Sequence, residues 1–117
     1  MSDLIVHLAR RTDWAEAQQT GSYAPPGLAV EGFIHLSRPN QVERPANEFF
    51  ANEPDLILLW VAPSRLEADL RYDPVEPDGE EFPHLYGTLN VSAVVATQPL
   101  APWPPGGFRL PGRPPIV

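Results

Sequence analysis

The sequence predicts an α+β domain with small, mostly antiparallel sheets and one or two helices, and three observations lead to this fold class. Several short segments have the composition of strands. One segment carries a complete helix signature, while a second helical pattern is interrupted by Pro45. A doubly wound parallel sheet would need more crossover helices than these segments offer. The 117 residues suffice for one domain, which we place at residues 1–111, with a proline-rich tail at 112–117.

The first third of the chain predicts a strand, a helix, a loop and a second strand. Residues 4–8 are mostly aliphatic and predict a short strand. Thr12-Asp13 can cap a following helix, and Gly21 can terminate it. Two adjacent prolines predict an extended loop over residues 22–27. The next strand candidate is residues 32–37.

The middle of the chain combines an ambiguous segment with a clear one. Residues 41–52 have helical spacing of apolar side chains, yet Pro45 would clash with a carbonyl inside a continuous helix. The helix therefore either begins near Arg44, with Pro45 at its first position, or is kinked there. The unbroken apolar run at residues 55–62 predicts a strand that is buried on both faces.

The second half of the chain predicts short elements separated by turns. Ser64 and Glu67 form a capping-box pattern for one turn of helix. Residues 69–73 are weakly strand-like, and residues 74–81 predict an acidic, turn-rich loop. Strand-type residues return over residues 85–98.

Composition excludes several classes of chemistry. The chain has no Cys, which excludes disulfides, thiolate zinc sites and cysteine nucleophiles. All of its basic residues are Arg, so lysine Schiff bases and the P-loop lysine are excluded as well. A net charge of -7 disfavours a nucleic-acid partner, since such binding needs a clustered basic face. No secretory signal opens the chain and no apolar run could cross a bilayer of ~30 Å, so we expect a cytoplasmic protein without membrane contact.

The strongest functional signal is a pair of similar motifs in which a histidine stands two positions before a hydroxyl residue. These are His35 with Ser37 and His84 with Tyr86, and in an extended strand each pair points to one side. A buried polar atom without a partner costs ~1–3 kcal/mol, so these groups are better placed around a wet pocket than scattered through a small core. We therefore predict that both motifs lie beside one cleft, with both imidazoles partly accessible.

The surroundings of each histidine leave structural alternatives open. Strand alternation places Phe33 on the face of the first motif, where we expect it to form the apolar floor of a half-open groove. The alternative is a structural His35 that is hydrogen-bonded to a backbone carbonyl. The second motif, His84 with Tyr86, could likewise be a surface turn with an anchored ring. His7 stands alone among aliphatic residues, and that setting favours a structural role.

Patterns for metal binding and nucleophilic catalysis are weak. No two histidines have metal-ligand spacing, so we expect no metal site unless folding assembles one in space. Neither a Gly-x-Ser-x-Gly elbow nor a Gly-x-Gly-x-x-Gly loop is present. Glu31 is either a functional carboxylate or a solvated residue at a loop end. Arg10 or Arg11, close to His7 in sequence, could supply the positive charge that a phosphate needs.

Short motifs that match one known family run along nearly the whole chain, up to about Leu110. They are Trp14-x-x-Ala17, Gly21-x-Tyr23, Glu31-Gly32-Phe33-Ile34-His35-x-Ser37, Gln41, Phe50, Asp55-Leu56-x-Leu58-Leu59, Phe82-Pro83-His84-x-Tyr86-Gly87-x-Leu89-Asn90 and Ala93-Val94-Val95. This series resembles the bacterial family called domain of unknown function 952, and the two histidine motifs are its most specific parts. Leu36 departs from the family pattern, which commonly has Cys there, and Tyr72-Asp73 stands where Trp-Glu is common.

The resemblance implies a fold similar to the ADP-ribosyltransferase architecture, in which small antiparallel sheets flank a crevice for a nicotinamide dinucleotide. By that analogy His7 would contact the adenosine ribose, and residues 32–37 would line the nicotinamide pocket. The catalytic Glu of such transferases has no assigned counterpart here, with Glu80 and Glu81 nearby. Fold similarity alone does not assign an activity.

We therefore expect a pocket for NAD, ADP-ribose or another nucleotide and, if the protein is an enzyme, transfer or hydrolysis at a ribosyl carbon. His35 and His84 are the expected catalytic residues, acting as acid or base near the unperturbed imidazole pKa of ~6.5. The alternative is a non-catalytic binding module with structural histidine motifs, which the missing Glu and the acidic composition favour. The expected ligand-binding residues are His7, Arg10, Glu31, Phe33, Ser37 and Tyr86.

Overall fold

The computed structural model describes residues 4–41, 55–75 and 79–100, and within these ranges every strand pairs with antiparallel neighbours. The predicted α+β class with mostly antiparallel sheets is therefore confirmed. In chain order the elements are β1 (Ile5–Arg10), α1 (Arg11–Thr20), β2 (Ser22–Tyr23), α2 (Pro26–Glu31), β3 (Ile34–His35), β4 (Leu56–Val61), β5 (Asp69–Val75), β6 (Glu80–Tyr86), β7 (Leu89–Asn90) and β8 (Val94–Leu100). Short 3₁₀ turns follow β4 and β7.

The first sheet has the order β1-β4-β8 and provides most of the core. Every residue of the central strand β4 is buried, which confirms the predicted double-sided burial. Because side chains alternate along a strand, Ile57, Leu59 and Val61 join one apolar cluster, while Leu58 and Trp60 join another on the opposite face. Each fully buried aliphatic side chain contributes ~1.5–3 kcal/mol, so this strand is a main source of stability.

The second sheet has the order β3-β6-β5 and meets the first sheet at one bridge. On its inner face, Ile34 lies opposite Leu85, and both side chains are buried in the core. Val6 and Ser37 exchange two backbone hydrogen bonds of 2.8 and 2.9 Å, and these connect the edges of the two sheets. This leaves the outer face of the second sheet for polar side chains.

Helix α1 begins at Arg11, one residue before the cap predicted at Thr12-Asp13. Its N-cap residue, Arg10, makes no side-chain capping bond, so the predicted cap is wrong. The Arg11 N–H instead donates to the Asp55 carbonyl at 3.0 Å, which means that a contact distant in sequence sets the helix start. The predicted terminator is confirmed, since Gly21 is the C-cap in the left-handed conformation.

The loop predicted over residues 22–27 is partly regular. Ser22 and Tyr23 form β2, which pairs with β7. Helix α2 begins at Pro26, because the fixed φ of proline suits a first helical position and the missing N–H is not needed there. It ends at Gly32, whose φ of 86° reverses the chain toward β3.

Two predictions in the second half also change. The capping box at Ser64 and Glu67 is wrong: the turn there is the 3₁₀ segment Pro63–Arg65, and the Glu67 N–H donates to Asn90 Oδ1 at 3.1 Å. The loop predicted over residues 74–81 is shorter, because β5 extends to Val75 and β6 begins at Glu80.

Two further predictions lie outside the described residues. They are the helix of residues 41–52 with its interruption at Pro45, apart from Gln41, and the tail at residues 112–117. Among the helices that the structure describes, none is long and apolar enough to cross a membrane.

Candidate functional site

The outer surface of the second sheet, which we call the polar face, gathers His35, His84 and Tyr86 with charged residues of β5. Arg71 lies opposite His84, and His84 lies opposite His35, in the register of the three strands. Because alternate residues share a face, Asp73 and Tyr86 also project from this surface. The predicted segments are therefore neighbours, and β5 adds residues that the motifs did not include.

His84 is oriented by Asp73. Its Nδ1 lies 2.9 Å from Asp73 Oδ2, and the Tyr86 hydroxyl donates a hydrogen bond to the same oxygen. The bond from Tyr86, and then the bond from His84, hold the pKa of the Asp73 carboxyl below its usual range. The same contact with Asp73 raises the pKa of the Tyr86 hydroxyl. Asp73 is therefore an ionised acceptor for two donors.

The bond to Asp73 fixes which nitrogen of a neutral His84 carries the proton. An ionised carboxylate only accepts hydrogen bonds, so Nδ1 carries the hydrogen and Nε2 keeps a lone pair. His84 Nε2 is buried, and the described residues give it no hydrogen-bond partner. Leaving such an atom unsatisfied costs ~1–3 kcal/mol. A buried polar atom without a partner is therefore typical of a site that binds a ligand or performs chemistry.

Aromatic rings pack against the imidazole of His84. The Phe33 ring stacks on His84 with 4.2 Å between centroids and a 17° tilt. The His35 ring stands at 86° to His84, with 5.0 Å between centroids. The predicted adjacency of the two imidazoles is therefore confirmed, but the predicted partial accessibility of His84 is wrong, because Phe33 covers the ring and leaves the residue 4% exposed. His35 is exposed, as expected.

His35 has its own carboxylate partner. Its Nε2 lies 2.9 Å from Glu31 Oε1, and both side chains are about half exposed. Glu31 ends helix α2, so the turn at Gly32 brings it back over β3. Since the pair is exposed, it is weak and can open for a ligand. Among the described residues, His35 Nδ1 has no hydrogen-bond partner.

Arg71 is the cation of the polar face. Its Nε donates to Asp69 Oδ2 at 2.7 Å, and its guanidinium carbon lies 4.9 Å from the centroid of the Tyr86 ring. The bond to Asp69 raises the pKa of Arg71, so this group stays charged. Among the described residues of this surface, the carboxylates of Glu31, Asp69 and Asp73 outnumber the guanidinium of Arg71, and the polar face therefore favours positive charge.

His7, predicted as a ligand-binding residue although its setting favoured a structural role, lies where both of its ring nitrogens are engaged. Its Nδ1–H donates to the His35 carbonyl at 2.6 Å, and the Tyr23 hydroxyl donates to its Nε2 at 2.8 Å. Burial lowers the pKa of His7 to about 4, and burial raises the pKa of the Tyr23 hydroxyl. With both nitrogens engaged, the neutral ring connects β1, β2 and β3 and has no nitrogen left for a ligand.

The remaining predicted residues lie in different places. Ser37 is buried, and its backbone forms the bridge between the sheets. Arg10 is exposed at the end of β1, on the first sheet. At the start of β6, the Gln41 side-chain amide donates to the Glu80 carboxylate at 2.8 Å and to the Glu81 carbonyl at 2.9 Å.

Asp73 and Arg71 are the site residues that the motifs missed. The segment from Asp69 to Asp73 alternates charged and apolar or aromatic residues, which is the pattern of a strand with one polar face. That pattern could have identified both residues, but the pairing of β5 with the His84 strand could not be deduced from it.

Comparisons with known proteins agree with this fold. The family described as protein of unknown function (DUF952) matches residues 8–97. A crystal structure of protein CC0527 from Caulobacter crescentus has 32% sequence identity and a TM-score of 0.83, with 91% of this chain and 93% of that chain covered. A solution structure of CC0527 gives 32% identity and a TM-score of 0.77, with 90% of each chain covered. No curated protein matches the chain.

Proposed function

The chain belongs to the DUF952 family of proteins of unknown function. We propose that its polar face is an acid–base site for a nucleotide-type ligand. The proposed ligand is NAD, ADP-ribose or another nucleotide, and the proposed reaction is transfer or hydrolysis at a ribosyl carbon. The finer fold assignment, an ADP-ribosyltransferase-like arrangement in a bacterial cytoplasmic protein, is part of this proposal.

One observation carries the proposal: His84 Nε2 is buried without a hydrogen-bond partner among the described residues, while Asp73 holds the opposite nitrogen. A carboxylate that orients an imidazole and leaves its far nitrogen free is the arrangement of a general base. Tyr86 acts through Asp73 as a positioning residue, because its hydroxyl helps to keep that carboxylate ionised and in place.

The charge of the polar face also supports chemistry at a ribosyl carbon. Breaking the bond between a ribosyl carbon and its leaving group develops positive charge on the sugar, which nearby carboxylates stabilise. Glu31 and Asp73 provide such carboxylates beside the two imidazoles. Arg71, rather than the predicted Arg10, provides the cation that a phosphate of the ligand would meet on this surface.

The proposed step with NAD is a displacement at the sugar. The bond between the ribosyl carbon and the nicotinamide nitrogen breaks, and its electron pair leaves with neutral nicotinamide. A hydroxyl oxygen, from water or an acceptor, forms the new bond to the ribosyl carbon and gives its proton to His84 Nε2. Water as acceptor makes the reaction a hydrolysis, and any other hydroxyl makes it a transfer.

Ligand entry requires side chains beside His84 to move, because its Nε2 is buried and the rings of Phe33 and His35 pack against the imidazole. Both follow the turn at Gly32, and within the described part of the chain the side chain of His35 is hydrogen-bonded only in the half-exposed pair with Glu31. A ligand ring could take over the stacking position of Phe33, which would compensate for the lost aromatic contact.

The proposal is tested by calorimetry and thermal shift with NAD, ADP-ribose and nucleotide mono- and diphosphates, followed by an assay for nicotinamide release. We expect at least one ligand to bind with a Kd below about 1 mM. His35→Gln should weaken that binding, whereas Tyr72→Phe, on the other face of β5, should not. Asp73→Asn should reduce turnover more than binding. Absence of binding for the whole panel would contradict the proposal.

The alternative, a non-catalytic module with structural histidines, is favoured by the engaged ring of His7 and the burial of His84. The two proposals differ in the stability of the His35→Gln variant. If His35 is structural, the variant loses about 1–3 kcal/mol from partners left unpaired. If His35 belongs to a ligand site, its exposed side chain can be replaced with little change in the melting temperature.

A further inference from the structure

We propose that His35 and His84 together chelate a divalent first-row transition-metal ion such as Zn²⁺, through His35 Nδ1 and His84 Nε2. This site goes beyond the proposed nucleotide chemistry and is tested separately from it, although His84 Nε2 cannot hold an ion and accept a proton at the same time. The two ligands of the proposed site are one cross-strand pair of residues that are 49 positions apart in sequence. The spacing of the histidines along the chain therefore does not indicate a metal site.

The backbone pairing holds the two imidazoles close together. Leu36 N–H donates to the Pro83 carbonyl at 2.9 Å, so Leu36 and Pro83 occupy a hydrogen-bonded position of the ladder. His35 and His84, the next pair along, therefore occupy a non-hydrogen-bonded position, where side chains come closest across an antiparallel pair. Two strands thus present two ligands without any loop between them.

Each ring has one nitrogen fixed by a carboxylate and the other nitrogen free. Glu31 accepts from His35 Nε2, and Asp73 accepts from His84 Nδ1. Histidines that bind metals typically donate the opposite N–H to a carboxylate, which sets the tautomer and orients the ring. His35 Nδ1 and His84 Nε2, the two remaining nitrogens, have no partner in the described part of the chain.

The separation of the rings fits a tetrahedral ion. A metal about 2.0–2.1 Å from a ring nitrogen lies roughly 3.2 Å from the centroid of that ring. With the centroids 5.0 Å apart, the two metal–ring directions make an angle of about 103°, close to the tetrahedral value of about 109°. His35 is the ring that turns to direct its Nδ1 toward the ion, because its side chain and its bond to Glu31 are about half exposed.

The ligand type and the charge select the ion. Imidazole suits zinc, copper and nickel, whereas magnesium and calcium prefer oxygen ligands. Carboxylates around the pair, from Glu31 and Asp73, favour a cation. In residues 4–41, 55–75 and 79–100, no group of three His, Asp or Glu side chains is arranged to hold an ion. The proposed ion therefore keeps its remaining positions for water or another small ligand.

The test is a calorimetric titration of Zn²⁺ into the chelator-treated, full-length protein without a histidine tag and without nucleotide. We expect one ion per chain, no comparable binding of Mg²⁺, and at least tenfold weaker Zn²⁺ binding by His35→Gln. Tyr72→Phe should bind Zn²⁺ as the unchanged protein does. Equal affinity in His35→Gln, or no Zn²⁺ binding below millimolar concentration, overturns the proposal.

A second measurement needs no variant and follows the imidazole nitrogens by ¹⁵N NMR. We expect Zn²⁺ to shift His35 Nδ1 and His84 Nε2 and to leave both nitrogens of His7 unchanged, since protein partners engage them. Shifts confined to His7 overturn the site. Because nucleotide is absent, failure of this titration leaves the proposed function intact, and failure of the nucleotide panel leaves the metal site intact.

Discussion

At the scale of single residues, Asp73 decides the chemistry of the candidate site. Two donors, His84 Nδ1 and the Tyr86 hydroxyl, meet one of its oxygens. The carboxylate therefore fixes the tautomer of His84 and leaves Nε2 as the free nitrogen. A hydroxyl or an amide both donates and accepts hydrogen bonds, so it would not fix the tautomer as an acceptor-only carboxylate does.

Tyr86→Phe is expected to raise the pKa of Asp73 toward its ordinary value. The hydroxyl of Tyr86 is the main cause of the lowered pKa, and removing it leaves the bond to His84 as the next cause. A ¹³C NMR titration of the carboxyl carbon measures this change. Tyr72→Phe serves as the control, since Tyr72 makes no bond to Asp73. Identical Asp73 titrations in both variants would mean that the hydroxyl has no such role.

His7 is expected to make the fold sensitive to acid. Its pKa is about 4 in the folded protein, against an ordinary value of 6.5 in the unfolded chain. As the pH falls from about 6.5 to about 4, His7 becomes protonated in the unfolded chain but stays mostly neutral in the folded protein. The free energy of unfolding therefore decreases. We expect a loss of about 2–3 kcal/mol across this window from His7, which levels off about one pH unit below the folded pKa.

Urea unfolding at several pH values measures this loss. His7→Gln, although less stable at neutral pH, should show a flatter dependence on pH between 6.5 and 4, because Gln has no proton to take up. A variant whose stability falls as steeply as that of the unchanged protein would assign the acid sensitivity to other groups.

At the scale of elements, the turn between β6 and β7 depends on Gly87. Its φ is +154°, and a Cβ at this position would lie 2.8 Å from Ala68 Cβ. A side chain larger than the hydrogen of glycine would therefore collide with Ala68. This turn follows directly on the His84 motif and fixes where β6 ends.

Gly87→Ala is expected to destabilise the protein by about 1–3 kcal/mol, since the new methyl group must displace backbone or Ala68. Gly27→Ala is the matched control. Gly27 lies in helix α2, and the nearest atom to a new Cβ is the flexible Glu31 carboxylate at 3.7 Å, so the change should be neutral or stabilising by roughly 0.5–1 kcal/mol. Chemical denaturation compares the two, and equal effects would contradict the steric argument.

At the scale of the whole molecule, the two three-stranded sheets are connected at several points. The Val6–Ser37 bridge joins their edges, and His7 donates across to the His35 carbonyl. Leu85, on the inner face of the second sheet, packs in the same core cluster as Leu59 of the first. Small domains with one shared core unfold as a single unit.

Leu85→Ala is therefore expected to lower the free energy of unfolding by about 2–5 kcal/mol and to destabilise both sheets equally. NMR signals of the Trp60 indole, which is bonded to Gln98 in the first sheet, and of His84 in the second sheet should disappear at the same urea concentration. Val30→Ala is the control: this side chain is 85% exposed, so a change within about 0.5 kcal/mol is expected. Separate transitions for the two signals would show that the sheets unfold independently.

Several features of this protein followed from the sequence alone, because local patterns determine them. The apolar run of β4 predicts a strand buried on both faces, and a glycine after α1 predicts the helix end. The two histidine motifs predicted that the segments around His35 and His84 lie side by side, and these segments are neighbours in the second sheet. Composition excluded cysteine and lysine chemistry outright.

The partners of each histidine were decided by tertiary structure, because strand pairing is set by contacts between residues far apart in sequence. Pairing of β6 with β5 placed Asp73 beside His84, and the turn after α2 placed Phe33 over the same ring. His7 was fixed by Tyr23 and by a carbonyl 28 residues away. A one-residue change of register would send each of these side chains to the opposite face, and only the packed fold selects the register.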